Sequence, residues 1–516
     1  MLGAFTFTDP VASLLEKVLN LLAMGYQTPA LRPIMFVGTA SDVGKSVITA
    51  GFCRIFKQDG FRPAPFKGQN MSLNSYATPE GFEIGRAQAV QAEAAGIPCH
   101  TDMNPVLLKP TSDQAAQVVL NGKPIGTQSA YDYFARNDRH ELFSQVKSAF
   151  DRLARQYEPV VMEGAGSISE LNLKHRDITN LRLALHAGAA VYLVGDIDRG
   201  GIFASLYGTM ALLSAGELSC IKGIIINKFR GDSRLFSDGR RMIEDLCGVP
   251  VVGLLPYFQD IFIEAEDSVS LAQKNRSALP GKVNVAVILL ERMANFTDFD
   301  RLEQDPRLHV YYTCEPAEIS QAAIVLLPGS KNTIGDLEVM KKNGVAQAIV
   351  EAYKKGKTVV GICGGYQMMG ELIADPQGIE GPPAQVAGLG LLPVRTVIEA
   401  EKTSLQCAFT YREGTEPCRG YEIHMGRTTP VAAPSPLNYL ADGRSDGYFR
   451  NPKCWGTYLH GILDNTAVID ALLADHAPAA DSTLDYRQYK EAQYDKLAAL
   501  IRAHVDMEQV YRSLQY

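Results

Sequence analysis

Unbroken apolar runs, short and bounded by glycine, recur along the chain in two series. The first comprises IMFVG (34–38), PVVMEG (159–164), AAVYLVGD (189–196) and GIIINK (223–228). The second comprises VNVAVILL (283–290), AAIVLLPG (322–329) and TVVGICGG (358–365). Runs that are apolar at every position, rather than at alternate ones, predict strands buried on both faces of a parallel sheet. Helix signals alternate with these strands, which predicts an α/β fold of two doubly wound parallel-sheet domains. EAEDSVSLAQKNRSALPGK (264–282), polar and poor in aromatics, separates the two series and reads as a linker. The expected division is an N-terminal extension (1–32), a first domain (33–265), a linker (266–282) and a second domain (283–516). In the extension, VASLLEKVLNLLAM (11–24) has helical spacing, with Gly25, Pro29 and Pro33 as stop signals, and predicts an accessory helix without chemistry.

Bulk properties narrow the class. A chain of 516 residues exceeds one hydrophobic core. A net charge of −7 leaves no basic field for nucleic acid or an anionic membrane. No apolar run reaches the ~18 residues that span a bilayer. The first thirty residues lack a basic start, and Glu16 and Lys17 interrupt their apolar character, so no signal peptide is expected. Nine cysteines without a C-x-x-C pair suit neither a disulfide framework nor a zinc site. A cytoplasmic location is expected.

GTASDVGKS (38–46) lies between the first strand and a helical stretch. A glycine-rich turn there points backbone N–H groups at phosphate oxygens, and the following helix N-terminus adds positive partial charge. Gly38, Thr39, Asp42, Val43 and Gly44 are the candidate cradle; Lys45 reaches the terminal phosphates and the Ser46 hydroxyl can take a magnesium position. The loop departs from G-x-x-x-x-G-K-[ST] in carrying Thr39 where the first glycine belongs, with Gly38 one residue earlier. Magnesium needs further hard oxygens, and Glu163 ends a buried-type strand at the rim where open α/β sheets bind ligands. Asp42, Asp196 and Asp198 are other acids near that rim; any one of them alone reads as a solvated strand-end carboxylate, but three segments sharing one rim favour a functional role, least for Asp196. Lys67 follows another short strand and suits a phosphate or an activated carboxylate. Asn227 and Lys228 stand where a side-chain amide could hold a nucleotide base; solvated surface residues are the plainer reading of all three.

In the second series, Cys363 sits between a buried strand and a helix, with Gly361, Gly364 and Gly365 around it. Such an elbow exposes the thiol at a helix N-terminus, and the glycines clear space for an incoming amide carbon. Most buried cysteines are structural, and that reading fits the other eight. His460, roughly 100 residues downstream in CWGTYLHGILD (454–464), is the candidate base. His424, in GYEIHMGRT (420–428), competes with it. Gly329, in LLPGSKNT (326–333), offers a backbone donor to an oxyanion.

These motifs carry two resemblances. The first half, with GTASDVGKS, PFK and EGAG, is similar to the dethiobiotin synthetase fold, a P-loop NTPase-like domain that activates carboxylates with ATP. G-x-C-x-G-x-Q around Cys363 and Gln367 resembles class I glutamine amidotransferases, which implies a glutamine pocket involving Gly364, Gln367, Tyr421 and His424. Those enzymes place a glutamate two residues after the histidine; here that residue is Ile462. Asp464 is the nearest acid to His460 in sequence that could orient it. KGQNMSLNSYAT (67–78), DMNPVLLKPTSD (102–113), GDIDRGGIFAS (195–205) and INKFRGD (226–232) resemble the cobyric acid synthases in particular. That resemblance implies a Cys–His pair without the usual glutamate. It also implies a corrinoid substrate, ATP with Mg2+, and glutamine. Cobalt belongs to the substrate, so no protein-bound cofactor is expected. The expected reaction amidates the b, d, e and g carboxylates of adenosylcobyrinic acid a,c-diamide. The alternatives are amidation of cobyrinic acid or a cell-wall lipid precursor, and a P-loop switch ATPase; against the switch stand Thr39 and the fused Cys–His half.

Overall fold

The computed structural model describes residues 30–112, 114–129, 131, 133, 139–266, 268–476 and 484–515. The accessory helix expected at 11–24 lies outside the described residues. Two six-stranded sheets carry the fold. The first runs in the order 251–256, 221–229, 190–196, 34–38, 160–163, 64–66, parallel throughout. The second runs 308–313, 283–288, 324–327, 358–362, 454–457, 448–451, parallel except for its last strand. The central strands of both are fully buried, which is why they read as continuous apolar runs. Every strand expected from the pattern is present.

Two additions escape that pattern, one mixed, with strands 69–71 and 106–110 parallel and the rest antiparallel, and one built on an antiparallel hairpin. A four-stranded sheet (69–71, 106–110, 115–120, 123–129) flanks the first domain. In the second, strands Val394–Tyr411 and Pro417–Pro430 form a long hairpin. Its far strand pairs Tyr421 with His460.

The chain's end returns to the first domain, contrary to the expected range 283–516 for the second. Helices Tyr486–His504 and Met507–Leu514 bring Leu497, Ile501, Val505, Val510 and Leu514 into one core with Ile34, Phe36, Phe52 and Tyr192. A methyl on Gly51 would stand 2.2 Å from Ile501 Cδ1, so glycine lets the helix Lys45–Gln58 meet its C-terminal partner without displacing Ile501. Arg54 fixes the pairing by donating to Glu491 and Asp495, each at 2.7 Å. No described helix is long and apolar enough to cross a membrane.

Candidate active site

Register sets up the first site. Strand Ile34–Gly38 lies beside Val160–Glu163, with Phe36 opposite Glu163, so the loop after one strand faces the carboxylate ending the other. Gly44 takes a left-handed φ of 100°, and a Cβ there would fall 2.1 Å from Asn227 Nδ2. Only glycine turns the chain into the helix at this point. Asn227 Nδ2 donates to the Val43 carbonyl (2.9 Å), so this amide buttresses the phosphate loop from beneath. Lys45 Nζ donates to the Ala40 and Gly166 carbonyls at 2.9 and 3.0 Å. Burial lowers its pKa, Glu163 opposing and Lys67 adding to the effect.

Beyond Lys45 the charges alternate. Lys67 Nζ donates to Glu163 Oε1 (2.9 Å) and Glu266 Oε1 (2.7 Å). Ser46 Oγ lies 2.8 Å from Glu163 Oε1 and 2.6 Å from Glu266 Oε2. Burial opposes charge on Lys67, yet Glu163 and Glu266 outweigh it and raise its pKa. For Glu266 burial is likewise outweighed, by Lys67, and its pKa is lowered. Gln91 Nε2 donates to Glu163 Oε2 (2.7 Å). Ser46, Glu163 and Glu266 thus converge as hard oxygen donors able to hold a divalent cation. Asp42, at a φ of 57°, lines the same cavity of about 690 Å3 at its exposed lip. Asp196 and Asp198 face Lys228 and Arg230 instead. Glu266, with Glu264 paired to Arg86 at 2.5 Å, opens the stretch expected to be a linker. Its polarity here reflects buried ion pairs rather than solvent.

The second site is built on strain. Cys363 has φ 52° and ψ −109° and caps the helix Gly364–Met369, a conformation costly for a residue with a Cβ. Packing holds it: methyls on Gly364 and Gly365 would strike Ser330 N at 2.7 Å and the Leu327 carbonyl oxygen at 2.1 Å. His460 is 1% exposed, and its Nδ1 lies 2.7 Å from Asp298 Oδ2. The Gly461 N–H donates to Asp298 Oδ1 (2.9 Å), and Tyr421 stacks on the imidazole at 5.3 Å. Burial disfavours the imidazolium, but Asp298 and then Cys363 outweigh it and push the pKa up to about 10. The acid on His460 is therefore Asp298, not Asp464. A Cβ on Gly329 would lie 3.4 Å from His460 Cε1 and 3.7 Å from Cys363 Cβ, so this glycine borders the pair.

Cys363, His460, Gly329, Gln367 and His424 line one cavity of about 50 Å3. Gln367 Nε2 donates to Tyr458 OH (3.2 Å), and its Oε1 accepts from Thr333 Oγ1 (3.2 Å). His424 stacks on Tyr458 at 3.8 Å, with Nδ1 2.9 Å from the Gly426 carbonyl oxygen. Lys331 and Glu380 line the same cavity. Burial lowers Lys331 to about 7, helped by Lys402, and burial raises Glu380 to about 7. A thiol beside an imidazolium, in a pocket with one acid and several cations, suits attack on the side-chain amide of an amino acid. Sequence reasoning missed Asp298, Glu266, Gln91, Lys331 and Glu380. Only Asp298 left a signal, as an acid in NFTDFD (295–300) just beyond a sheet strand.

Comparison with known proteins agrees with both halves. Residues 34–271 match the CobQ/CobB/MinD/ParA nucleotide binding domain, and residues 284–468 match the CobB/CobQ-like glutamine amidotransferase domain. The cobyric acid synthase of Bacteroides fragilis is 62% identical over 487 residues, covering 94% of this chain and 98% of its own. That of Parabacteroides distasonis is 60% identical, with 94% and 99% covered. That of Syntrophobacter fumaroxidans is 46% identical, with 93% and 98% covered. With such identity along nearly its whole length, and both domain models matched in order, this chain belongs to the cobyric acid synthase family.

Proposed function

We propose that this chain converts the b, d, e and g carboxylates of adenosylcobyrinic acid a,c-diamide to amides, giving adenosylcobyric acid, with one ATP and one glutamine consumed per amide. The observation that carries the reading is the pairing in one chain of two complementary sites. Lys45, Lys67 and Glu163 converge at the rim of one sheet, and Cys363 meets the His460–Asp298 pair at the rim of the other. Amide formation needs both, because a carboxylate is a poor electrophile and ammonium is no nucleophile.

Cys363 Sγ attacks the side-chain carbon of glutamine, and its proton is held on His460. The developing oxyanion lies near Gly329, and collapse breaks the C–N bond as His460 gives the proton to the departing ammonia. Water then hydrolyses the glutamyl thioester. Asp298 fixes the imidazole and favours its charged form. Gln367 and His424 shape the glutamine pocket, with Glu380 and Lys331 of suitable charge for the ammonium and carboxylate of the amino acid; Tyr421 lies outside that cavity and backs the His460 ring.

At the other site a substrate carboxylate oxygen attacks the γ-phosphorus of ATP and the bond to ADP breaks. Gly38, Thr39, Asp42, Val43 and Gly44 form the cradle, Lys45 balances terminal phosphate charge, and Asn227 keeps the loop in place. Lys67 stands where the acyl phosphate forms. Ammonia attacks the acyl carbon and phosphate leaves with the electron pair. Ser46, Glu163 and Glu266, with Asp42 at the lip, would hold magnesium, which when bound with ATP draws charge from the phosphate oxygens. Nine free thiols suit a reducing cytoplasm.

Mass spectrometry of the corrinoid, incubated with ATP, magnesium and glutamine, tests the reading. The a,c-diamide should gain amides stepwise until the b, d, e and g positions are filled. Preference for unamidated cobyrinic acid, stopping after the a and c positions, refutes the acceptor.

A further inference from the structure

We propose that the dipeptide Asn74–Ser75, in the first domain, holds the His460–Asp298 pair in line for glutamine hydrolysis, so that Asn74 is a positioning residue for chemistry done in the second. It rests on the function given above and adds what aligns the base of its glutaminase half.

Asp298 sits in the short turn Phe296–Phe299, which the chain enters through Asn295 at φ 52° and ψ 44°. Just before it, Ala294 pairs with Gly329. One segment therefore joins the glycine that borders the oxyanion to the acid on the base. Phe296 and Phe299 anchor this segment in the core of the second domain. Two of its polar groups are satisfied elsewhere. An asparagine that opens a turn commonly caps it with its own side chain. Asn295 makes no such bond; its Oδ1 accepts from the Ser75 N–H (2.9 Å). The first domain supplies the cap instead, because the Phe296 N–H donates to Asn74 Oδ1 (3.1 Å). The two asparagines thus exchange bonds between domains, across sequence separations of 220 and 222 residues.

The same dipeptide reaches the imidazole by a second path. Tyr421, which stacks on His460, donates its OH to the Ser75 carbonyl (3.3 Å). Tyr76 packs on the Tyr421 ring at 4.5 Å. Ser75 is held in turn: its Oγ accepts from Lys109 Nζ (2.8 Å), and its strand pairs with Glu83–Gly85. Asn74, Ser75, Asn295, Asp298 and Tyr421 are each no more than 3% exposed. Water is kept from this joint, so a bond lost there leaves a buried polar group unpaired.

The consequence falls on one contact. Asp298 Oδ2 meets His460 Nδ1 at 2.7 Å, which leaves Nε2 for the proton that passes between Cys363 and departing ammonia. A displaced turn loosens that contact, and with it both the ring's orientation and its hold on the proton. The titratable groups facing the imidazole are Asp298, Cys363 and Tyr421. Two of the three hang on Asn74–Ser75.

The test uses the full chain and reads glutamine hydrolysis across pH, together with amidation of the a,c-diamide from added ammonium. Asn74→Ala removes the acceptor from the Phe296 N–H. Asn295→Gly removes the acceptor from the Ser75 N–H and keeps the left-handed φ accessible. Each should lower kcat for glutamine about tenfold and move the alkaline limb of the profile down, as Asp298 loosens. In Asn74→Ala, which lies outside the glutamine cavity, KM for glutamine should stay within about twofold. Ammonium-driven amidation should stay within about twofold in both, which marks a folded chain. The double variant should lose no more than about twofold beyond either single one, since both act on one joint. An unchanged kcat in either folded variant overturns the clamp. So does a lowered kcat with an unmoved pH profile, or losses that multiply to about 100-fold in the double variant. Loss of ammonium-driven amidation in both overturns it too, by placing the pair in the synthetase site; where Asn74→Ala alone loses it, Asn295→Gly decides by kcat and pH profile. A wild-type chain that releases no ammonia from glutamine refutes the glutaminase function itself, whereas a clamp overturned in an active wild type leaves that function standing.

Discussion

The two sites solve charge in opposite ways. At Cys363 the reactive geometry is held by backbone and packing: a strained φ of 52°, glycines without room for a methyl, and an imidazole fixed by Asp298. The cavity is small, about 50 Å3. At Lys45 the cavity is about 690 Å3, and the protein's own ions fill it, with Lys67 between two glutamates and Lys45 on backbone carbonyls. One site is built to meet a small amide in a single pose. The other holds its charges against one another until phosphates and a carboxylate displace them, which suits a large acceptor presenting several carboxylates in turn.

The largest break in this comparison is Cys363→Ala. Glutamine-dependent amidation should fall on the order of 10⁴-fold, because no other group supplies ammonia. Ammonium-driven amidation should persist, since the second site accepts ammonia from any source. Steady-state assays with each nitrogen donor separate the two, and loss of both in a folded variant would collapse the division of labour. Lys45→Ala and Glu163→Ala reverse the pattern. Each should lower amidation about 10²–10³-fold with either donor, as for removal of a main charge stabiliser. Near wild-type rates with ammonium would remove that residue from the site.

Asp298→Asn sharpens the comparison on the glutaminase side. Asp298 is the foremost group holding the His460 proton, which carries the imidazole to about 10. Without that charge the folded pKa falls, so the proton needed by departing ammonia is lost at a lower pH. Glutaminase activity should drop about 10–10²-fold, and the alkaline limb of its pH profile should move down. A profile unchanged in shape would deny Asp298 this role.

Asp298 also marks where sequence reading stops. Cys363 and the phosphate loop were legible because their chemistry needs neighbouring residues, a strand, glycines and a helix start within a dozen positions. The acid on His460 comes from a segment 162 residues away, and only the fold brings it there. Glu266 was obscured by composition: a polar stretch reads as solvated linker, whereas here its first carboxylates are buried against Arg86 and Lys67. The parallel sheets were legible from unbroken apolar runs. The helix Tyr486–His504 gave no sign of its destination, since an amphipathic stripe states that a face is covered and not by which domain. Its partner signal, Gly51 opposite Ile501, is a single residue.

The smallest expected effect concerns Asp464, the acid nearest His460 in sequence. Its Oδ1 is buried without a hydrogen-bond partner among the described residues, and burial raises its pKa from the usual carboxylate value to about 7. A raised carboxylate pKa means that the folded state binds the proton more tightly than the unfolded one. The folded protein therefore loses stability as pH rises from about 4 through about 7, where the buried group must ionise. Asp464→Asn keeps the shape and removes that charge. Its melting temperature should match wild type near pH 4, at the foot of that window, and exceed it increasingly up to pH 8, by an amount equivalent to roughly 2–4 kcal/mol. Glutaminase activity should stay within about threefold of wild type, since Asp298 and not Asp464 meets the imidazole. A variant less stable at pH 8, or as inactive as Asp298→Asn, would mean that Asp464 works as a charged partner of the second site, and the contrast between the two acids would be lost.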